Sequence, residues 1–196
     1  MMWGRIRMVL VAALAAAGCG PAGSGDIVSD VRDLPTFDRI HVEEGIDVDL
    51  RIEPGAAQAV TVVYDDNLLD RIGTEVVDGE LRVEVTDSFR VTGGGRLVEV
   101  AVAELDQIEA DSGADVRGRG EIGLIRVVAS GGASVDLVDL AARNVVVEAS
   151  GGAVVLVTAR DSVTGQASGG SNVDVYGDPP TVDVATSGGA DVDRRP

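Results

Sequence analysis

Four near-copies of one motif decide how this chain is read: Ala129-Ser130-Gly131-Gly132-Ala133-Ser134-Val135, Ala149-Ser150-Gly151-Gly152-Ala153-Val154-Val155, Ala167-Ser168-Gly169-Gly170-Ser171-Asn172-Val173 and Thr186-Ser187-Gly188-Gly189-Ala190-Asp191-Val192. A related stretch, Asp111-Ser112-Gly113-Ala114-Asp115-Val116, opens the series. Counted from Ser112 through Ser130, Ser150, Ser168 and Ser187, the steps are 18, 20, 18 and 19 residues. A short fixed period is the signature of a solenoid or array.

Each period holds two extended runs. Leu124–Ala129, Asn144–Ala149, Ser162–Ala167 and Thr181–Thr186 precede the Ser-Gly step; Val135–Leu137, Val154–Val157 and Val173–Tyr176 follow it. Several alternate apolar with polar, the pattern of a half-buried strand. The Ser-Gly-Gly step predicts a corner, because glycine takes positive φ without steric cost. Like residues then stack, each strand pairing with its equivalent about 4.8 Å along the axis. The expected fold is all-β: a β-helix, or β-solenoid, with coils of about 18–20 residues and the corner residues named above.

Outward from the repeat, residues 36–110 are strand-like but less regular. Phe37–Val42 and Ile46–Ile52 alternate clearly, with Gly45 between them; Ala59–Tyr64, Leu81–Thr86 and Leu97–Val102 continue the pattern. Glu53-Pro54-Gly55, Asp78-Gly79 and Gly93-Gly94-Gly95 read as turns, and Asp65–Ile72 as a short helical turn. Aromatics make up only 3% of the chain, as a narrow valine-filled stack requires. The net charge is −17, spread along the chain, and every basic residue is arginine. Such a surface is solvated and repels nucleic acid.

The first residues differ in kind. Arg5 and Arg7 precede an unbroken apolar run, Met8–Ala17. Ten residues are too few to span a bilayer, which takes about 20, but suit a secretory signal. Ala15-Ala16-Ala17-Gly18-Cys19 resembles the bacterial lipobox, with Ala16 where leucine is usual. That resemblance implies cleavage after residue 18 and a lipid on Cys19, the only cysteine. Two or more acyl chains anchor stably where one does not. Residues 20–34, rich in Gly, Ser and Asp, read as a flexible tether of roughly 20 Å.

The chain also resembles the bacterial auto-transporter adhesin, or head GIN, domain family. The resemblance is carried by Phe37–Val42, Gly45–Val48, Asp66-Asn67-Leu68-Leu69, Asp78–Val83 and the Ser-Gly-Gly-Ala steps, and covers roughly residues 36–194. It implies a β-helix over 35–194, frequent lipoprotein signals and no established activity.

No catalytic or metal set emerges from the sequence, and no cofactor is expected. The lone histidine, His41, reads as a solvent-facing strand residue, and no His/Cys metal cluster is visible. Asp136, Asp174 and Asp193 each follow a corner valine at one repeat phase, so stacking would bring some together as a cation site or an acid–base pair. Leu156 and Arg117 interrupt that phase. The leading expectation is a non-catalytic solenoid, lipid-anchored on the exported side of a bacterial membrane and presenting its surface to an envelope or extracellular partner. The alternative is a carbohydrate-binding or polysaccharide-cleaving β-helix using those aspartates. The chain stops at Asp193-Arg194-Arg195-Pro196 without a cap, so end-to-end self-association is a third expectation.

Overall fold

The computed structural model describes residues 20–90 and 94–196. The leader 1–18, Cys19 and the Gly93 end of the glycine loop lie outside the described residues. The described chain is all-β, and its strands join in one 14-stranded sheet around one apolar core.

The repeat forms β8 (Gln107–Ala110), β9 (Asp115–Ala129), β10 (Ser134–Ala149), β11 (Val154–Ala167), β12 (Asn172–Tyr176), β13 (Thr181–Thr186) and β14 (Asp191–Arg194), after seven earlier strands: β1 (Ile27–Arg32), β2 (Arg39–Val42), β3 (Asp47–Ile52), β4 (Ala59–Asp65), β5 (Ile72–Val77), β6 (Glu80–Val85) and β7 (Leu97–Val102). β9, β10 and β11 pair in parallel, and β11 pairs in parallel with both β12 and β13. The register joins like to like. Val62, Val98, Val48, Val116, Val135, Val155, Val173 and Val192 form one unbroken row across the sheet. All but the last are buried. Each buried valine contributes about 1.5–3 kcal/mol over its exposed state.

The corners are tight turns closed by backbone hydrogen bonds: Ala114 N–H to Asp111 O, Ala133 to Ser130, Ala153 to Ser150, Ser171 to Ser168 and Ala190 to Ser187, at 3.0–3.4 Å. Two findings refine the sequence reading. The residue equivalent to Ser130 is Asp111, not Ser112: Asp111 N–H bonds Val42 O as Ser130 N–H bonds Ala110 O. Ser112 instead takes the first central position, at φ 52°. The same turn also occurs earlier, where Ile46 N–H bonds Glu43 O and Glu44 and Gly45 both have positive φ. β2 and β3 are therefore another rung of the stack, paired in parallel with β8 and β9.

What makes the first half irregular is the segment between those rungs. β4 runs antiparallel to β7, and β5 and β6 form an antiparallel hairpin around Asp78-Gly79. β6 and β7 then extend the two sides of the stack beyond β2 and β3. The helical turn predicted over Asp65–Ile72 is a 3-10 turn at Leu69–Arg71.

The tether expectation gives way here. Ile27–Arg32 is β1, antiparallel to β4 in register from Ile27 with Asp65 to Arg32 with Val60. The stretch before it is held too. Ser24 N–H bonds Asn67 Oδ1 at 3.0 Å, Asn67 Nδ2 bonds Ala22 O at 2.9 Å, and Gly23 N–H bonds Arg90 O at 2.9 Å. Its glycines serve close approach: a Cβ at Gly20 would lie 1.6 Å from Ser88 O, and one at Gly23 2.5 Å from the Asp65 carboxylate.

Candidate functional site

The parallel registers set outward-facing residues of successive strands side by side in rows across the sheet. The aspartates singled out from the sequence fall in one row: Asp49, Arg117, Asp136, Leu156, Asp174, Asp193. Asp174 and Asp193 are neighbours, and Arg195 bridges both at 3.1 Å. Asp136 is parted from them by Leu156 and accepts the Val138 N–H at 3.1 Å. The row thus answers acid with arginine within the chain, again at Asp49, held by Arg119 at 2.6 Å. It does not gather three carboxylates at one point.

The corner row behaves differently. Its first position holds Glu43 and Asp111, then Ser130, Ser150, Ser168 and Ser187. Glu43 and Asp111 are adjacent rungs, and the side chain of His41 lies between them. His41 Nε2 is 3.1 Å from Glu43 Oε1 and 3.1 Å from Asp111 Oδ2. One ligand atom from each lies within 4.8 Å of the others. His41 is half-buried, its side chain 19% exposed, which corrects the solvent-facing expectation. The sequence reading did not bring these three side chains together; their ligand atoms lie close enough that they could hold a metal ion. Burial disfavours the Asp111 carboxylate, but hydrogen bonds from Ser112 and His41, with the charge of His41, outweigh it and hold the pKa below the usual value. A cavity of about 270 Å³ opens beside the cluster, lined by His41, Glu43, Arg82, Val83 and Glu84.

Sequence reasoning missed this because Asp111 stands 70 positions from His41. The signal was present: aligning Glu43-Glu44-Gly45-Ile46 with Asp111-Ser112-Gly113-Ala114 would have stacked the two acids.

Two aromatics that are distant in sequence also meet. Tyr64 and Phe89 pack edge to face, ring centres 6.2 Å apart. They line an open cavity with Glu44, Ile46, Val85 and Asp87. Burial and the nearby Asp47 push the Tyr64 hydroxyl up to about 12. Behind it lies a buried ion pair, Asp65 with Arg96, whose Nη2 donates at 2.7 Å while its Nε contacts the other carboxylate oxygen. Gly25 N–H adds a third donor at 2.7 Å. The Arg96 hydrogen bond dominates over burial and lowers the Asp65 pKa to about 2. Among the described residues no helix is long and apolar enough to cross a membrane.

Comparison with known proteins follows the same lines. The family model described as "Putative auto-transporter adhesin, head GIN domain" matches residues 36–124 and 90–179. The fold is similar to that of a solved putative adhesin from Bacteroides fragilis, with TM-score 0.56 and 14% identity over 89% of this chain and 99% of that one. A putative adhesin from Parabacteroides merdae aligns with TM-score 0.45 and 13% identity over 91% and 100% of the two chains. No curated protein matches the chain.

Proposed function

The chain belongs to the auto-transporter adhesin, head GIN domain family, and from that premise we propose that it is a cell-envelope protein whose work is to hold a rigid binding surface at the outside of a membrane. The observation that carries this reading is the in-register stack. It lines outward positions up in rows, giving a periodic face of small corner residues and of carboxylates, several of them braced by arginine. We read that stack as a β-helix. Such a face suits multivalent contact with a repetitive partner such as a polymer or a matrix.

Cys19 is the proposed anchor. The docking of residues 20–25 alters what that anchor does. With Gly20 packed on Ser88 and β1 in the sheet, a lipid on Cys19 would hold the domain flush with the headgroups, without a leash. Cys19→Ser should release the protein from the membrane fraction, and mass spectrometry of the mature N-terminus should find the acyl groups.

Binding without turnover is the expected behaviour. Crosslinking in living cells followed by pull-down should recover an envelope or extracellular partner. Turnover of an envelope polysaccharide, abolished by Asp136→Ala or Asp174→Ala, would overturn the reading and favour the carbohydrate-cleaving alternative. That alternative gains one observation, the Tyr64–Phe89 cavity, since sugars stack on aromatic faces; none of Asp136, Asp174 and Asp193 lines it.

A further inference from the structure

We propose that His41, Glu43 and Asp111 form a binding site for one divalent transition ion of the Zn²⁺ class. Two carboxylates converge on a single ring nitrogen, each at 3.1 Å from His41 Nε2. That nitrogen carries at most one proton, so a proton gives one straight hydrogen bond and leaves the second acid poorly served. A cation bound to all three answers both acids together. The spacing suits one: ligands about 2.0–2.1 Å from a tetrahedral Zn²⁺ stand roughly 3.3 Å from each other. The imidazole selects for Zn²⁺ and its neighbours in the series over Ca²⁺ and Mg²⁺, which take oxygen ligands.

The rest of the corner row is the internal control. Ser130, Ser150, Ser168 and Ser187 make the same turn at the same position, so the turn does not require an acid there. Among the corners that make this turn, acids stand only at Glu43, on the strand of the sole histidine, and at Asp111, on the next rung; a third acid, Glu84, lies beside Glu43 on β6. Stacking two carboxylates one rung apart is unfavourable unless a cation lies between them. The third ligand position is fixed by the strand: His41 and Glu43 are two residues apart and share a face, while buried Ile40 and Val42 anchor β2 from the other side. The site is open on the side of the Arg82–Glu84 cavity, which leaves room for a further ligand such as water or an acidic group of a partner.

The test uses the mature chain stripped with a chelator and titrated calorimetrically with ZnCl₂ in the presence of excess Ca²⁺. One Zn²⁺ should bind per chain, and Co²⁺ in its place should give the intense visible absorption of a tetrahedral site. His41→Ala should weaken binding at least about tenfold. Asp111→Ser, which installs the residue that the following corners carry, should do the same while circular dichroism remains unchanged. Asp136→Ala should leave binding intact. No saturable heat, or binding that survives both His41→Ala and Asp111→Ser, would overturn the proposal, and loss in Asp136→Ala alone would place the ion elsewhere.

Discussion

The stack from β8 to β14 and the segment from Gly20 to β7 share one core, but they are stabilised in different ways. The stack is parallel, and its stability is distributed. Each rung repeats the same small contributions: a buried valine, a glycine corner, a backbone ladder. The earlier segment adds antiparallel pairs, a hairpin, a pinned N-terminal strand and the buried pair Asp65–Arg96. Its stability is concentrated in few irreplaceable contacts. Repetition spreads risk, whereas elaboration gathers it, and both polar clusters of interest lie where elaboration begins.

The largest expected effect tests that concentration. Asp65→Ala removes the buried carboxylate that the Arg96 guanidinium and the Gly25 N–H both bond; breaking such a buried pair costs about 3–5 kcal/mol, measurable by urea unfolding. The same contact has a pH signature. Because the folded pKa is depressed to about 2 from 3.8, its stabilisation is fully present above about pH 4 and is lost as pH falls toward 2. Asp65→Asn should flatten that part of the acid-unfolding curve. An unchanged slope would place the acid sensitivity elsewhere.

Next comes a break inside the stack. Gly165 has φ 137°, and a Cβ there would lie 1.9 Å from Val147 O on the adjacent rung. Gly165→Ala should cost about 2–4 kcal/mol, against nearly nothing for Gly123→Ala, which meets no atom within 4 Å. Equal effects of the two would mean that the rungs do not press together as described. A smaller loss, about 2 kcal/mol, is expected for Val135→Ala at the middle of the valine row, with thermal unfolding as the measure; Val192→Ala on the last rung should cost less, since that residue is only half-buried.

The smallest pair dissects one corner. Gly151→Ala sits at φ 67°, a left-handed conformation that costs an L-residue about 1–2 kcal/mol. Ser150→Ala should change stability by less than about 0.5 kcal/mol, because its backbone makes the turn and its hydroxyl does not. If Ser150→Ala proved the worse of the two, the serine row would have a role that the turn geometry does not account for.

Much of this architecture was legible in the sequence, for a physical reason. Parallel pairing makes residues one period apart neighbours, so the register of Asp136 with Leu156 and Arg117 can be counted from the sequence alone. Where periodicity stops, legibility stops. Gly, Ser and Asp in residues 20–34 have the composition of a tether, yet here the glycines permit close approach and Ser24 and Asp26 bond the Asp65–Asn67 turn. Composition alone does not distinguish glycine that loosens a chain from glycine that lets it pack. The His41 cluster stayed hidden because its two strands belong to rungs separated by the inserted β4–β7, which broke the count just where the acids stack.

The rung is also a unit of descent. Each is a self-contained sentence of chain that enters below one neighbour and leaves below the next, with matching row residues at either side. If the stack is the β-helix proposed above, duplicating or deleting one such unit within it changes the molecule's height by about 4.8 Å. Reach can therefore be lengthened or shortened by whole-unit copying errors in the gene, without redesign of the core, much as a wall gains courses.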